Sequence, residues 1–301
     1  MADDSKGLES VTVLQAIADR VAQGGVLREE EAPVVFASDD LIAIGMMADD
    51  VRRQLHGLET TFLRVFDVHV DAVPAALPQG VSAGEFRLVG SPSSIDAACA
   101  AVEQARHLAG ETTLTGFSLA DLGALESSSA GSLRRLRSAG LDGVAEAPID
   151  ESAQPAVQSA RDAGLLVRRL TVHSPPHDAI ALINLARQLQ AAVGGFRAFA
   201  PLPRTVPVTT PTTGYDDVKL VALARLLIRD IPSIQVDWPL YGPKLAQVAL
   251  TVGADDVDGI AAVESGSLGV RRSAIEEIKG NIRAAGLQPV ERDGRFEARG
   301  R

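Results

Sequence analysis

The chain has 301 residues, 46% of them hydrophobic but only 4% aromatic, so it can bury a large aliphatic core, as one big α/β domain or two smaller ones. Acidic residues number 39 and basic ones 29, a formal net charge of −10, and no basic run exceeds a pair of arginines; nucleic acid and anionic membrane are therefore not expected partners. One cysteine, Cys99, rules out a disulfide framework or a multi-cysteine metal site built from these residues; no apolar run approaches a membrane span, and the expected location is the cytoplasm.

In chain order, "SVTVLQAIADRVAQGG" (10–25) and "SDDLIAIGMMADDVRRQLHG" (38–57) read as two amphipathic helices, the second with Ser38 as its N-cap. The acidic run "REEEAP" (28–33) between them reads as a solvated turn. From Thr61 onward, short Val/Ile/Leu/Phe-rich runs alternate with segments of helical period. The predicted strands are 61–70, 84–90, 112–118, 143–149, 165–173, 196–203, 233–239 and 258–264. Several intervening helices close on Gly, which takes the left-handed C′ conformation at no Cβ cost. Cys99 falls on one of these helices, in "SIDAACAAVEQARHLAG", where it reads as a small core residue.

Eight strand-helix units match a (β/α)8 TIM-type barrel, residues 61–301 with a C-terminal tail, behind an N-terminal helical extension, 1–60. An open doubly wound sheet is the alternative, but no GxGxxG follows the first strand. In a barrel the chemistry belongs at the C-terminal strand ends. In "DVHVD", Asp67, His69 and Asp71 alternate with valines and so share one face. The other candidates at the strand ends are Glu146; His173 and His177 of "HSPPH", with Ser174 a candidate cap for the helix that follows; Arg204; Asp237, Trp238 and Tyr241 of "QVDWPLYG"; and Glu264. Arg204 suits bidentate binding of a carboxylate. Trp238 and Tyr241 form either a stacking wall for a ring-bearing ligand or plain packing. "ADDVDG" (254–259) reads as a cap for the last strand.

Three stretches, "LARQLQAAVGGFRAFAPLP", "GYDDVKLVALARLLIRDIPSIQVDWPLYGPKLAQVALTVGADDVDG" and "IRAAGLQPVERDGRF", resemble the radical-SAM enzymes of the futalosine route to menaquinone, aminofutalosine synthase and dehypoxanthine futalosine cyclase. The resemblance is dense from about residue 185 and sparse between 72 and 165. It implies a barrel, an iron-sulfur cluster on a CxxxCxxC loop after the first strand, and cleavage of S-adenosylmethionine to a radical. Here "DVHVDAVPAA" stands where the family carries Asn, His and Asn and then the cluster loop; no cysteine follows, and "GVAEAP" leaves Glu146 as the counterpart of the family's glutamate.

The expectation is a cluster-less homologue, a pseudoenzyme or a binding subunit linked to menaquinone biosynthesis. It has no expected cofactor, no iron-sulfur cluster, an open question over S-adenosylmethionine, and a cysteine-bearing radical-SAM homologue as a possible heteromeric partner. Its ligand would be a small carboxylate or a nucleoside-like molecule, in a mouth pocket lined by His69, Glu146, His173, Trp238 and Glu264. The competing reading is a metal-dependent hydrolase or lyase using Asp67, His69 and Asp71, completed by His173 or His177.

Overall fold

The structure is a computed structural model, and it describes residues 13–150, 152–205, 213–263 and 275–299. Eight parallel strands close a barrel: β1 (Glu59–His69), β2 (Glu85–Val89), β3 (Thr113–Ser118), β4 (Gly143–Pro148), β5 (Arg169–Val172), β6 (Ala198–Pro203), β7 (Ser233–Asp237) and β8 (Asp256–Ala261), each paired with the next and β1 paired with both β8 and β2. The expected closed barrel is therefore present. The fifth strand begins four residues later than the sequence implies, because residues 165–168 make only an isolated bridge, Leu166 to Gly143, before regular pairing starts at Arg169.

Each strand buries both faces, as parallel barrels require. The outward residues, among them Phe62, Phe66, Phe86, Leu88, Leu114, Leu170, Phe199 and Ile234, pack under the surrounding helices. The Phe66 and Phe86 rings, opposite each other in the β1–β2 register, meet at 5.3 Å between centroids. Helix α4 (Ile95–Ala109) shows how the outer layer forms. Ser94 caps it by accepting from the Ala97 N–H, Ala98, Ala101, Val102, Ala105 and Ala109 make an i, i+3/i+4 inner stripe, and Gly110 at positive φ ends it.

The N-terminal extension contains a helix over 13–22, here α1, a short helix α2 (Ala32–Ala37) and α3 (Leu41–His56). The acidic run is a 3-10 turn, Glu29–Glu31, that buries none of its residues, as expected of a solvated turn, although residues 32 and 33 already belong to α2, with Pro33 in its first turn, where a missing N–H costs nothing. The cap of α3 is Asp40, which accepts from the Ala43 N–H at 2.9 Å; Ser38 instead accepts from the Asp40 N–H. Helix α3 packs against the barrel's side on α9 (Gly214–Leu227), with Lys219 Nζ donating to the Ser38 carbonyl and Tyr215 donating to that of Asp39.

A ninth strand, β9 (Gln288–Arg292), was not expected. It pairs parallel to the first half of β1, below the point where β2 takes over. Among the described residues no helix is long and apolar enough to cross a membrane.

Candidate functional site

The inward positions of the barrel are polar. Glu85 and Arg87 on β2, Thr113 and Thr115 on β3, Arg169 and Thr171 on β5, Gln235 and Asp237 on β7, and Asp256 and Asp258 on β8 are i, i+2 pairs, and all are buried. Their partners lie across the lumen. Arg87 reaches past β1 to grip Asp258 with both guanidinium ends at 3.0 and 3.1 Å, and donates through Nε to Glu85 at 2.8 Å. Arg169 donates to the same Asp258 from the far wall, and Thr115 donates to Glu85 at 2.7 Å. Nearer the strand starts, Asp256 accepts from Arg292 at 2.6 and 2.7 Å, from Gln235 at 2.6 Å and from Thr61 at 2.5 Å.

"ADDVDG" is therefore not a cap. Asp255 accepts from Arg225 and from the Ile234 N–H, Asp256 holds Arg292, and Asp258 holds Arg87 and Arg169. Gly259 completes the motif for a steric reason: a Cβ there would lie 2.7 Å from a Pro239 ring carbon, and its φ is +80°. Burial acts to push the Asp258 carboxyl up, but Arg169 and Arg87 outweigh it and hold the group well below the usual carboxylate range.

The uppermost polar layer faces the mouth. Arg204, just past β6, donates to Asp237 at 2.5 Å and lies 3.4 Å from Glu146 on β4. Burial works against its charge; Asp237 and Glu146 restore it and raise its affinity for the proton. Asp237 is pushed upward, first by burial and then by neighbouring Asp258, against the pull of Arg204. The guanidinium of Arg204, expected as a carboxylate fork, joins two side chains of the barrel itself through Nη1 and Nε, and its buried Nη2 has no partner among the described residues.

Beside that layer lies a mouth pocket of about 220 Å3 over the ends of β2, β3 and β4, lined by Arg87, Gly90, Ser91, Phe117, Ser118 and Glu146. Phe117 sits at φ +61°, a left-handed conformation that costs an aromatic residue energy, and it turns the chain from β3 into α5 (Leu119–Ser128), whose N-cap is Ser118. His69 is exposed at the rim, with its imidazole beside Gly90. Asp67 is half-buried, paired in register with Arg87 and felt by it electrostatically; Asp71 is exposed. The loop from Ala72 to Gly80 is mostly exposed, its Val73–Ala75 part lying along α4, so it does not fold down over His69.

Other expected members sit elsewhere. Trp238 is fully buried in the core at the start of α10 (Trp238–Leu250), which rules it out as a ligand wall. Tyr241 is partly buried and donates to the Pro203 carbonyl at 2.5 Å; burial, then Asp217, pushes its phenol upward. His173 and His177 are exposed; the His173 carbonyl accepts from both the N–H and the hydroxyl of Thr205. Ser174 does not cap the next helix, α8 (Ala179–Val193): Asp178 does, accepting from Ile180 and Ala181. Glu264 lies outside the described residues. Among the described residues no three His, Cys, Asp or Glu side chains converge as a metal set, so Asp67, His69 and Asp71 do not form the expected ligand shell. The residues also do not fit an iron-sulfur cluster. The loop after β1 has no thiol, and Cys99 lies on α4 with burial pushing its thiol up, away from the thiolate a cluster needs.

The strand order and the polar lumen define a parallel (β/α)8 barrel, and solved structures share that fold. Methylornithine synthase (PylB) superposes with a TM-score of 0.63 at 14% identity, covering 90% of this chain and 96% of that one. The FeFe-hydrogenase maturase HydG from Carboxydothermus hydrogenoformans gives 0.62 at 13% identity, covering 95% and 81%. Residues 197–301 match the CofH/MqnC C-terminal region. Aminodeoxyfutalosine synthase of Streptomyces coelicolor is 32% identical over 147 residues, 42% of this chain and 38% of the relative. The 5-amino-6-(D-ribitylamino)uracil--L-tyrosine 4-hydroxyphenyl transferase of Methanococcoides burtonii is 37% identical over 134 residues, 38% of this chain and 37% of the relative. The matched part of the chain thus spans under two fifths of these curated relatives.

Proposed function

We propose that this barrel is a cluster-less homologue of the futalosine-pathway radical-SAM enzymes that binds a small polar molecule at its mouth, acting as a pseudoenzyme or binding subunit rather than a radical catalyst. The observation that carries the reading is the combination at the strand ends: an open pocket floored by ion-paired charges, with Glu146 and His69 at its edge, and no thiolate to hold a cluster. Arg87 and Arg204 are fixed by Asp258, Glu85, Asp237 and Glu146, so the pocket presents oriented dipoles instead of mobile side chains. The acidic groups nearest the rim, Asp67, Asp71 and Glu146, favour a neutral or cationic ligand group. A nucleoside or a zwitterion fits that field better than a dianion. The linkage to menaquinone biosynthesis, and pairing with a cysteine-bearing homologue, rest on the C-terminal family match.

The test has two arms. Anaerobic reconstitution with iron and sulfide, followed by iron determination and assay for 5′-deoxyadenosine, is expected to give sub-stoichiometric iron and no product; iron near a full cluster per chain with product overturns the reading. Thermal-shift measurements with adenosine, S-adenosylmethionine and benzoate are expected to show stabilisation by at least one, lost in His69→Ala.

A further inference from the structure

Helix α3 is apolar on two opposite faces. Ile44, Met47, Ala48 and Val51 form the inner one, buried against the side of the barrel on α9. On the outer one, Ile42 is 78% exposed and Met46 65%, one turn apart, so the two side chains make a single outward knob. A helix lying on a barrel needs one apolar stripe, and the fold leaves the second unused. Neighbouring surface extends it: Phe36 and Tyr215, both exposed, flank Lys219 Nζ at 5.4 and 5.7 Å, and Tyr215 donates to the Asp39 carbonyl at the start of α3. Of the twelve large apolar side chains exposed among the described residues, eight lie between Val13 and Leu58, so the N-terminal extension is where apolar surface is left for a partner.

The charges along the outer face of α3 decide what fits it. At about 3.6 residues per turn, Asp39, Ile42, Met46, Asp49 and Arg53 fall on one strip. It is acidic where the helix begins and basic where it ends. Among the described residues Asp39 has no ion pair, and Arg53, whose side chain is 45% exposed, uses only Nε, on Asp49 at 2.6 Å. Met46 stands midway between Asp39 and Arg53 in the sequence. A two-fold axis through Met46, perpendicular to the helix, therefore lays a second α3 antiparallel on the first, with each Asp39 opposite the second copy's Arg53 and the two Met46 side chains meeting at the centre. Each Ile42 then lies over the Asp49 turn of the other helix, where the carboxylate is already held by Arg52 and Arg53 at 2.8 and 2.6 Å. The helix dipoles also oppose favourably. A parallel pair would set Asp39 on Asp39 and Arg53 on Arg53, like charge on like. The acidic border of Asp39, Asp40 and Asp50 likewise counts against an anionic membrane as the occupant.

We propose that the outer face of α3 is a homodimer interface, in which two copies of this chain pack α3 against α3 antiparallel about Met46, with Phe36 and Tyr215 at the border. A contact built on one helix pair belongs to the small class of interfaces, so the dimer is a reversible one. It lies on the side of the barrel and makes no use of the mouth pocket, so it stands or falls independently of ligand binding there.

Sedimentation velocity of the full chain, run up to about 100 μM, where associations of micromolar Kd are populated, is expected to show a monomer–dimer equilibrium. Met46→Glu should weaken the dimer by about tenfold or more. Arg53→Glu should weaken it too, by placing a second acid opposite Asp39, and the double variant Asp39→Arg with Arg53→Glu should restore it, because opposite charges face each other again. A chain that stays monomeric across the series overturns the proposal, as does a dimer that Met46→Glu leaves intact. A dimer weakened by Met46→Glu but not restored by the charge swap overturns the antiparallel arrangement. If Met46→Glu does not fold, the charge variants, both at exposed positions, decide.

Discussion

Asp258 on β8 and Arg87 on β2 meet in a two-point contact at 3.0 and 3.1 Å although β1 stands between their strands. Such a contact is possible only through the lumen, so this pair ties the barrel across its bore. Removing one partner leaves a buried charge uncompensated, which costs about 3–5 kcal/mol. Asp258→Ala leaves two buried guanidiniums, Arg87 and Arg169, sharing the single carboxylate of Glu85, and is expected to fall in that range by urea denaturation. A loss below about 1 kcal/mol would show that the lumen relaxes or hydrates.

Acid should act through the same carboxylate. The folded state depresses the Asp258 carboxyl, so its contribution is present above the unfolded value, about 3.9, and is lost as pH falls below it toward the folded value. Between pH 7 and pH 5 this contribution should be flat. Stability curves of the unaltered chain and Asp258→Asn should converge below about pH 4; a gap that stays constant through that window contradicts the assignment.

Trp238 supports the core and not the ligand. Truncating a large buried aromatic costs about 3–5 kcal/mol, and Trp238→Ala should show it in the thermal or urea midpoint, whereas Trp238→Phe should retain most of the stability. Unchanged stability together with altered ligand binding would restore the stacking role.

His69→Ala makes the opposite forecast. An exposed rim residue supports little packing, so stability should change by less than about 0.5 kcal/mol, while ligand-induced stabilisation disappears. The discriminating measurement is the thermal shift with and without adenosine or S-adenosylmethionine.

Arg204→Lys keeps the charge and loses the fork. One ammonium cannot reproduce a planar guanidinium lying between Asp237 and Glu146, so a loss of about 1–3 kcal/mol is expected. A fully stable variant that loses only carboxylate-ligand affinity would return Arg204 to the role its sequence position implies.

The barrel was legible because parallel strands buried on both sides are written as apolar runs, and the helices between them carry their caps and glycines. Strand β9 was not. "QPVER" is largely half-exposed and contains a proline, so it lacks both alternation and an apolar run, and only its pairing with β1 makes it a strand. The polar lumen is not legible in the sequence for a related reason. Charged residues inside strands, such as Glu85, Arg87, Arg169 and Asp258, look like solvated positions until closure brings distant strands together. The one available signal was their spacing: Glu85 with Arg87, Asp256 with Asp258 and Gln235 with Asp237 recur at i, i+2 within otherwise apolar runs. Trp238 failed in the opposite direction, since rarity and placement at a strand end say nothing about which way an indole turns.

Strand β9 has a bearing on how the chain is made. Arg292 completes the Asp256 cluster, and β9 completes the edge of β1, from positions more than two hundred residues later than Glu59. During synthesis all eight barrel strands emerge before that arginine does, so the nascent barrel holds an Asp256 carboxylate without its cation until residue 292 has been made. Domains fold as the ribosome releases them, and this one is expected to stay loose at its base, open to chaperones and proteases, until residues 288–296 arrive to lock it.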